Sequence, residues 1–92
     1  MEFDLSCVYD SRENFYGKAR VKTTFNKNVE DYELYSYGTL VARITKIGNK
    51  TMYHYFGKYS QTTTRHQKEF FKQFGLSDQE IKQLFKDGSL TI

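Results

Sequence analysis

The sequence has no proline, no tryptophan and a single cysteine in 92 residues. Without proline, every turn must be built by Gly, Asn, Asp or Ser. With Cys7 alone no intramolecular disulfide can form, which fits a reducing compartment. No apolar run approaches the ~20 residues that a bilayer span needs. The opening Met1-Glu2-Phe3-Asp4 is acidic and alternating, not basic and then apolar as in a signal peptide. A cytoplasmic protein with no membrane partner is therefore expected. Asn49-Lys50-Thr51 matches a glycosylation sequon but is better read as a turn. Also missing are a Gly-rich phosphate loop, a Cys-x-x-Cys pair and a paired-carboxylate constellation. Cys7 falls in an apolar strand set, where a thiol is an inert small hydrophobe. The chain is accordingly expected to bind a macromolecule and not to be an enzyme.

What the sequence does have is rings and charge. Eight Phe and eight Tyr make 17% of the chain aromatic, enough to fill a small core. Tyr hydroxyls seek partners or water, so half of these rings suit a half-exposed sheet face or an interface. The net charge of +3 permits an acidic protein surface or nucleic acid as partner without demanding either.

The length allows one domain, residues 1–92. Period-2 patterning fills the first two thirds and helical stripes the last third. The expected fold is α+β, an antiparallel sheet of about four to five strands followed by two C-terminal helices packed on one face. Phe3, Leu5, Cys7 and Tyr9 alternate as one strand. Asp10-Ser11-Arg12-Glu13 is read as a short helical turn ended by Gly17. Lys18 to Phe25 follows, with Ala19, Val21, Thr23 and Phe25 on one face and Lys18, Arg20, Lys22 and Thr24 on the other. Strands are expected over Asp31–Tyr37, Thr39–Ile47 and Lys50–Phe56, joined by two-residue loops at Tyr37-Gly38 and Gly48-Asn49. Ile47 then sits opposite Lys50. Leu40, Ala42, Ile44, Tyr53 and Tyr55 share the core face. Val41, Arg43, Met52, His54 and Phe56 share the other, with Arg43 opposite His54. Gln61–Phe74 reads as a helix capped from Ser60 and the Thr62–Thr64 run, with Phe70, Phe71, Phe74, Thr63 and Gln67 or His66 on its stripe. Ser77 and Glu80 form a capping box for a second helix, Asp78–Lys86, with Ile81, Leu84 and Phe85 inward. Leu90-Thr91-Ile92 can add an edge strand.

Three candidate sites emerge. Lys18, Arg20 and Lys22 form a basic row on one strand face. Arg65, Lys68 and Lys72 form a second on the first helix, where such spacing could follow a phosphate backbone or an acidic groove. The plainer reading is a solvated face, with Glu69 pairing Arg65 at i+4. The tyrosines Tyr32, Tyr35, Tyr37, Tyr53, Tyr55 and Tyr59 suit an interface or base stacking, or simply sheet core. His54, His66 and Cys7 could in principle hold zinc, but the ligands are scattered, and no cofactor is expected.

Three segments carry a resemblance. They are Tyr9-Asp10-Ser11-Arg12 with Phe15-Tyr16-Gly17-Lys18-Ala19, then Leu34-Tyr35-Ser36-Tyr37-Gly38-Thr39 with Val41-Ala42, and Tyr59-Ser60 with Thr62-Thr63, Arg65-His66, Glu69-Phe70 and Lys72-Gln73-Phe74. Over residues 9–75 the chain resembles a family of short proteins carried by phages, prophages and plasmids of Gram-positive bacteria. The resemblance implies a phage-encoded anti-CRISPR protein of the host cytoplasm. Such a protein binds the type II RNA-guided DNA nuclease, or its guide complex, and blocks a step of its action. The competing reading is a small basic nucleic-acid-binding accessory protein, and a homodimer stays open. The residues expected to touch a partner are Lys18, Arg20, Lys22, Arg12, Arg43, His54, Tyr59, Arg65, His66, Lys68 and Lys72.

Overall fold

A computed structural model describes residues 1–92. Six strands form one antiparallel sheet in strict chain order: β1 (Glu2–Asp4), β2 (Ala19–Asn26), β3 (Val29–Ser36), β4 (Thr39–Ile47), β5 (Lys50–Tyr55) and β6 (Ser89–Thr91). Helices α1 (Gln61–Gln73) and α2 (Asp78–Asp87) intervene between β5 and β6. This is the expected α+β architecture with one more strand. Tyr37-Gly38 and Gly48-Asn49 are the two-residue loops read from the sequence. Ser36 pairs with Thr39, Ile47 with Lys50 and Arg43 with His54.

Alternation decides which sheet face is covered. On β2, Ala19, Val21 and Thr23 are buried while Arg20, Lys22 and Thr24 are exposed. The inner face continues through Leu34 and Ser36, Ala42 and Ile44, then Tyr53. Phe70 and Phe71 of α1 and Ile81 and Leu84 of α2 close it into a single core. Phe85 stacks on Tyr55 with ring centroids 4.1 Å apart. Both helices thus lie on one face, and the other carries no element.

Three expectations need correction. The first strand stops at Asp4, and residues 5–18 form an irregular loop in place of a longer strand and a helical turn. Leu5 and Phe15 enter the core, but Tyr9 is exposed. The cause is Glu69, whose Oε1 accepts the N–H groups of Tyr9 (2.9 Å) and Asp10 (2.8 Å) and draws the chain onto α1. The core-face assignment on β4 also fails at one point. Leu34 pairs with Ala42 but Tyr35 with Leu40, so Val41 is an extra residue in a bulge. Val41 therefore turns inward and is buried beside Ala42, while Leu40 is half-buried opposite Tyr35. Gln67 clamps the bulge, donating from Nε2 to the carbonyls of Val41 (2.9 Å) and Gly57 (3.1 Å). Finally, α1 is capped by Ser60 alone, whose hydroxyl accepts from Thr63 N–H, and not by the threonine run. The capping box of Ser77 and Glu80 on α2 is present as expected.

Candidate partner-binding surface

The two basic rows do not share a face. Arg20 and Lys22 alternate with buried residues of β2 and so point away from the helices. Arg65, Lys68 and Lys72 lie on α1, whose buried side faces the sheet's inner side. The rows therefore stand on opposite surfaces of the molecule.

Neither row is bare charge. Arg20 donates to Asp4 (2.7 Å), and Lys22 has Glu2 and Glu33 as strand neighbours. Arg43 pairs with Asp31 (3.1 Å), which also accepts from the Thr45 hydroxyl (2.6 Å). The Arg43 guanidinium, ahead of an opposing burial effect, holds the Asp31 carboxyl below the usual range. On the helix side, Arg65 meets Asp10 (3.5 Å) and not Glu69, and Lys72 meets Asp78 (3.2 Å). Glu69 cannot serve Arg65 because it is buried and already accepts from two backbone N–H groups and Gln73. Lys68 is exposed on the helix.

His66 is not a surface contact. It is 1% exposed, and its Nδ1 lies 2.7 Å from Ser36 Oγ, itself 2.8 Å from Thr63 Oγ1. Phe15 meets its ring edge-on at 4.5 Å. Burial lowers its pKa below the ordinary 6.5, with nearby Asp10 opposing and Arg12 reinforcing the shift. Sequence spacing gives no sign of this pair, because Ser36 and His66 meet only when β3 receives α1. The Ser–His contact resembles a nucleophile and its base, but both groups are enclosed in the core, with Thr63 sharing the same hydroxyl. Cys7 is similarly unsuited to attack. Burial and the carboxylates of Asp10 and Glu69 push its thiol pKa up.

The two histidines do not come together. His66 faces inward to Ser36, while His54 lies on the open face, opposite Arg43 and parallel to the Phe56 ring. No three His, Cys, Asp or Glu residues come together as an ion site.

The tyrosines divide as well. Tyr53 and Tyr55 belong to the core or its margin. Tyr32 packs on Phe74 (4.7 Å) and bonds Glu30; burial and that bond push its pKa up to about 12. Tyr37 and Tyr59 are exposed and Tyr35 is half-buried on the open face. Arg12 is exposed in the irregular loop, where its backbone N–H donates to Asp10 Oδ1. No helix is long and apolar enough to cross a membrane.

The open sheet face thus joins Arg20, Lys22, Tyr35, Glu33, Asp31, Leu40, Arg43, Met52 and His54 in one register-defined patch. Its charges alternate in sign, and its apolar members are half-buried. A uniformly anionic surface laid on it would meet Asp31 and Glu33 as well as the cations.

A sequence model of a family of unknown function (DUF8033) matches residues 3–88, and the chain belongs to that family. No curated protein and no solved structure matches the chain.

Proposed function

We propose that this member of the family is a stoichiometric binding protein that inhibits a host defence nuclease, the type II RNA-guided DNA nuclease, through its uncovered sheet face. The observation that supports a binding role is that face itself. Six strands present it without a covering element, while both helices are spent on the inner side. At ~4.8 Å between strands and ~3.3 Å per residue, it spans roughly 600 Å², somewhat below the ~800 Å² per partner of a standard interface. The choice of nuclease comes from the resemblance over residues 9–75, with phage carriage and host cytoplasm as its context. The reading assigns the protein no catalysis and no cofactor.

The nucleic-acid alternative is weakened by the same face. Asp4, Asp31 and Glu33 stand among its cations, and a phosphate backbone laid across them would meet repulsion at each rung.

The test is target-DNA cleavage by purified type II nucleases titrated with this protein. Cleavage is expected to stop near molar equivalence. Phe56→Ala, at an exposed ring beside His54, is expected to weaken inhibition about tenfold. Complete cleavage at large molar excess across several type II nucleases would overturn the proposal.

A further inference from the structure

One dipeptide recurs with the same backbone anomaly. In Tyr16-Gly17 and Tyr37-Gly38 the tyrosine as well as the glycine is left-handed, with φ of 54° and 73° in the first and 51° and 83° in the second. Bulky side chains avoid this region, and Asn is the usual non-glycine occupant. Yet both residues are largely exposed, at 74% and 56%; the Tyr37 ring rests one face over the buried His66 ring (centroids 5.8 Å, tilted 33°) and leaves the other to solvent. The Tyr37 N–H donates to the Lys18 carbonyl (2.8 Å), which sets the two turns side by side.

Where they meet lies an open pocket of about 340 Å³ lined by Gly17, Lys18, Arg20, Tyr35, Tyr37 and Gly38. Two cationic residues and two tyrosines line it, and no acidic residue does, although Asp4 reaches Arg20 from outside it. Four other surface pockets each hold one or more acidic residues: Asp10 and Glu69, Asp78 in two of them, and Asp4 with Glu13. Lys18 makes no ion pair, and Arg20 gives Asp4 only one of its five N–H groups. Beside both glycines the space is open, so a ligand can approach the backbone.

We infer that this pocket binds a single nucleotide. Its phosphate sits between the Lys18 ammonium and the unoccupied edge of the Arg20 guanidinium, and its base lies on the Tyr37 ring with Tyr35 as the wall. The volume falls within the usual small-molecule range of roughly 300–1,000 Å³. Bases stack on aromatic side chains without regard to sequence. The carboxylates limit the ligand to one unit, because Glu2 and Glu33 flank Lys22 at the next outward position of β2. The nucleotide can be free or the phosphorylated end of a strand. The site shares Arg20 and Tyr35 with the open sheet face, but the inference does not rest on the nuclease reading.

The experiment is amide NMR titration of the isolated protein with AMP, adenosine, inorganic phosphate and a trinucleotide with or without a 5′-phosphate. AMP or the phosphorylated trinucleotide is expected to shift the amides of Gly17, Lys18, Arg20 and Gly38. Adenosine and phosphate alone should bind about tenfold more weakly or worse. Tighter binding of the phosphorylated trinucleotide than of AMP identifies a strand end as the ligand, and the reverse identifies a free nucleotide. Lys18→Gln and Tyr37→Asn should each weaken binding about tenfold. Tyr37→Asn keeps a residue suited to the turn, so its melting temperature shows that the fold is intact. No shift with either phosphorylated probe would overturn the inference, as would shifts unaltered by Lys18→Gln or binding of inorganic phosphate as tight as AMP. Because no nuclease is present, these outcomes do not bear on inhibition.

Discussion

Tyr16 holds a backbone conformation that costs an L-residue about 1–2 kcal/mol. At 74% exposure its ring recovers little of that through packing. Asn in its place tolerates the left-handed region, and the bond from the residue 16 N–H to Asn14 Oδ1 (2.7 Å) does not involve the side chain. Tyr16→Asn is therefore expected to stabilise the protein by about 1 kcal/mol. Thermal unfolding should report this as a rise of roughly 4–8 °C for a domain of this size. A fall in melting temperature would show that the ring is packed in solution. His66 is the opposite kind of residue: its surroundings suit it fully, with Ser36 on Nδ1 and Phe15 against its edge.

Among the elements, the loop over residues 5–18 depends most on a single side chain. It has no ladder of its own beyond the bond from Leu5 N–H to the Ala19 carbonyl (2.9 Å). Glu69 holds its middle through two charge-assisted bonds, and Gln73 adds a bond to the Ser6 carbonyl (2.8 Å). Glu69→Ala leaves the N–H groups of Tyr9 and Asp10 without an acceptor. A loss of about 2–3 kcal/mol is expected, concentrated in this loop. Hydrogen exchange should show faster exchange at Tyr9 and Asp10 while the amides pairing β3 with β4 keep their protection. Uniform acceleration across the sheet would mean that the loop and core open as one unit. The helices behave differently, because each is capped and striped by its own sequence and then held by Phe70, Phe71, Ile81 and Leu84.

For the whole molecule, one buried and one half-buried ionisable group shape the response to acid. His66 has a folded pKa below its ordinary 6.5. Between those two values the unfolded chain binds more protons, so stability must rise with pH across that window. The neutral ring's contribution is fully present above 6.5 and is lost as pH falls towards the folded value. Asp31 has a lowered pKa through Arg43, so its contribution persists above its ordinary 3.8 and disappears only in stronger acid. Urea unfolding at a series of pH values should therefore show weakening that begins below pH 6.5, before the carboxylate range. His66→Gln should remove that early slope and leave the later one. An unchanged slope between 6.5 and 3.8 in the variant would assign it to other groups.

Local chemistry in the chain was enough for the alternating strands, the two-residue loops at Tyr37-Gly38 and Gly48-Asn49, the Ser77 capping box and the pairing of Arg43 with His54. Each depends on residues close in sequence or on a register that the loop length dictates. Tertiary structure alone decided the bulge at Val41, the burial of Glu69, the enclosure of His66 together with Gln67 where the stripe had offered one or the other, and the separation of the two basic rows. These follow from α1 lying across β3 and β4, which brings residue 36 to residue 66 and residue 69 to the 9–10 backbone. A period in the sequence says which side chains share a face. Only packing says what that face meets, and here it turned an expected ion pair into a backbone anchor and an expected contact histidine into core.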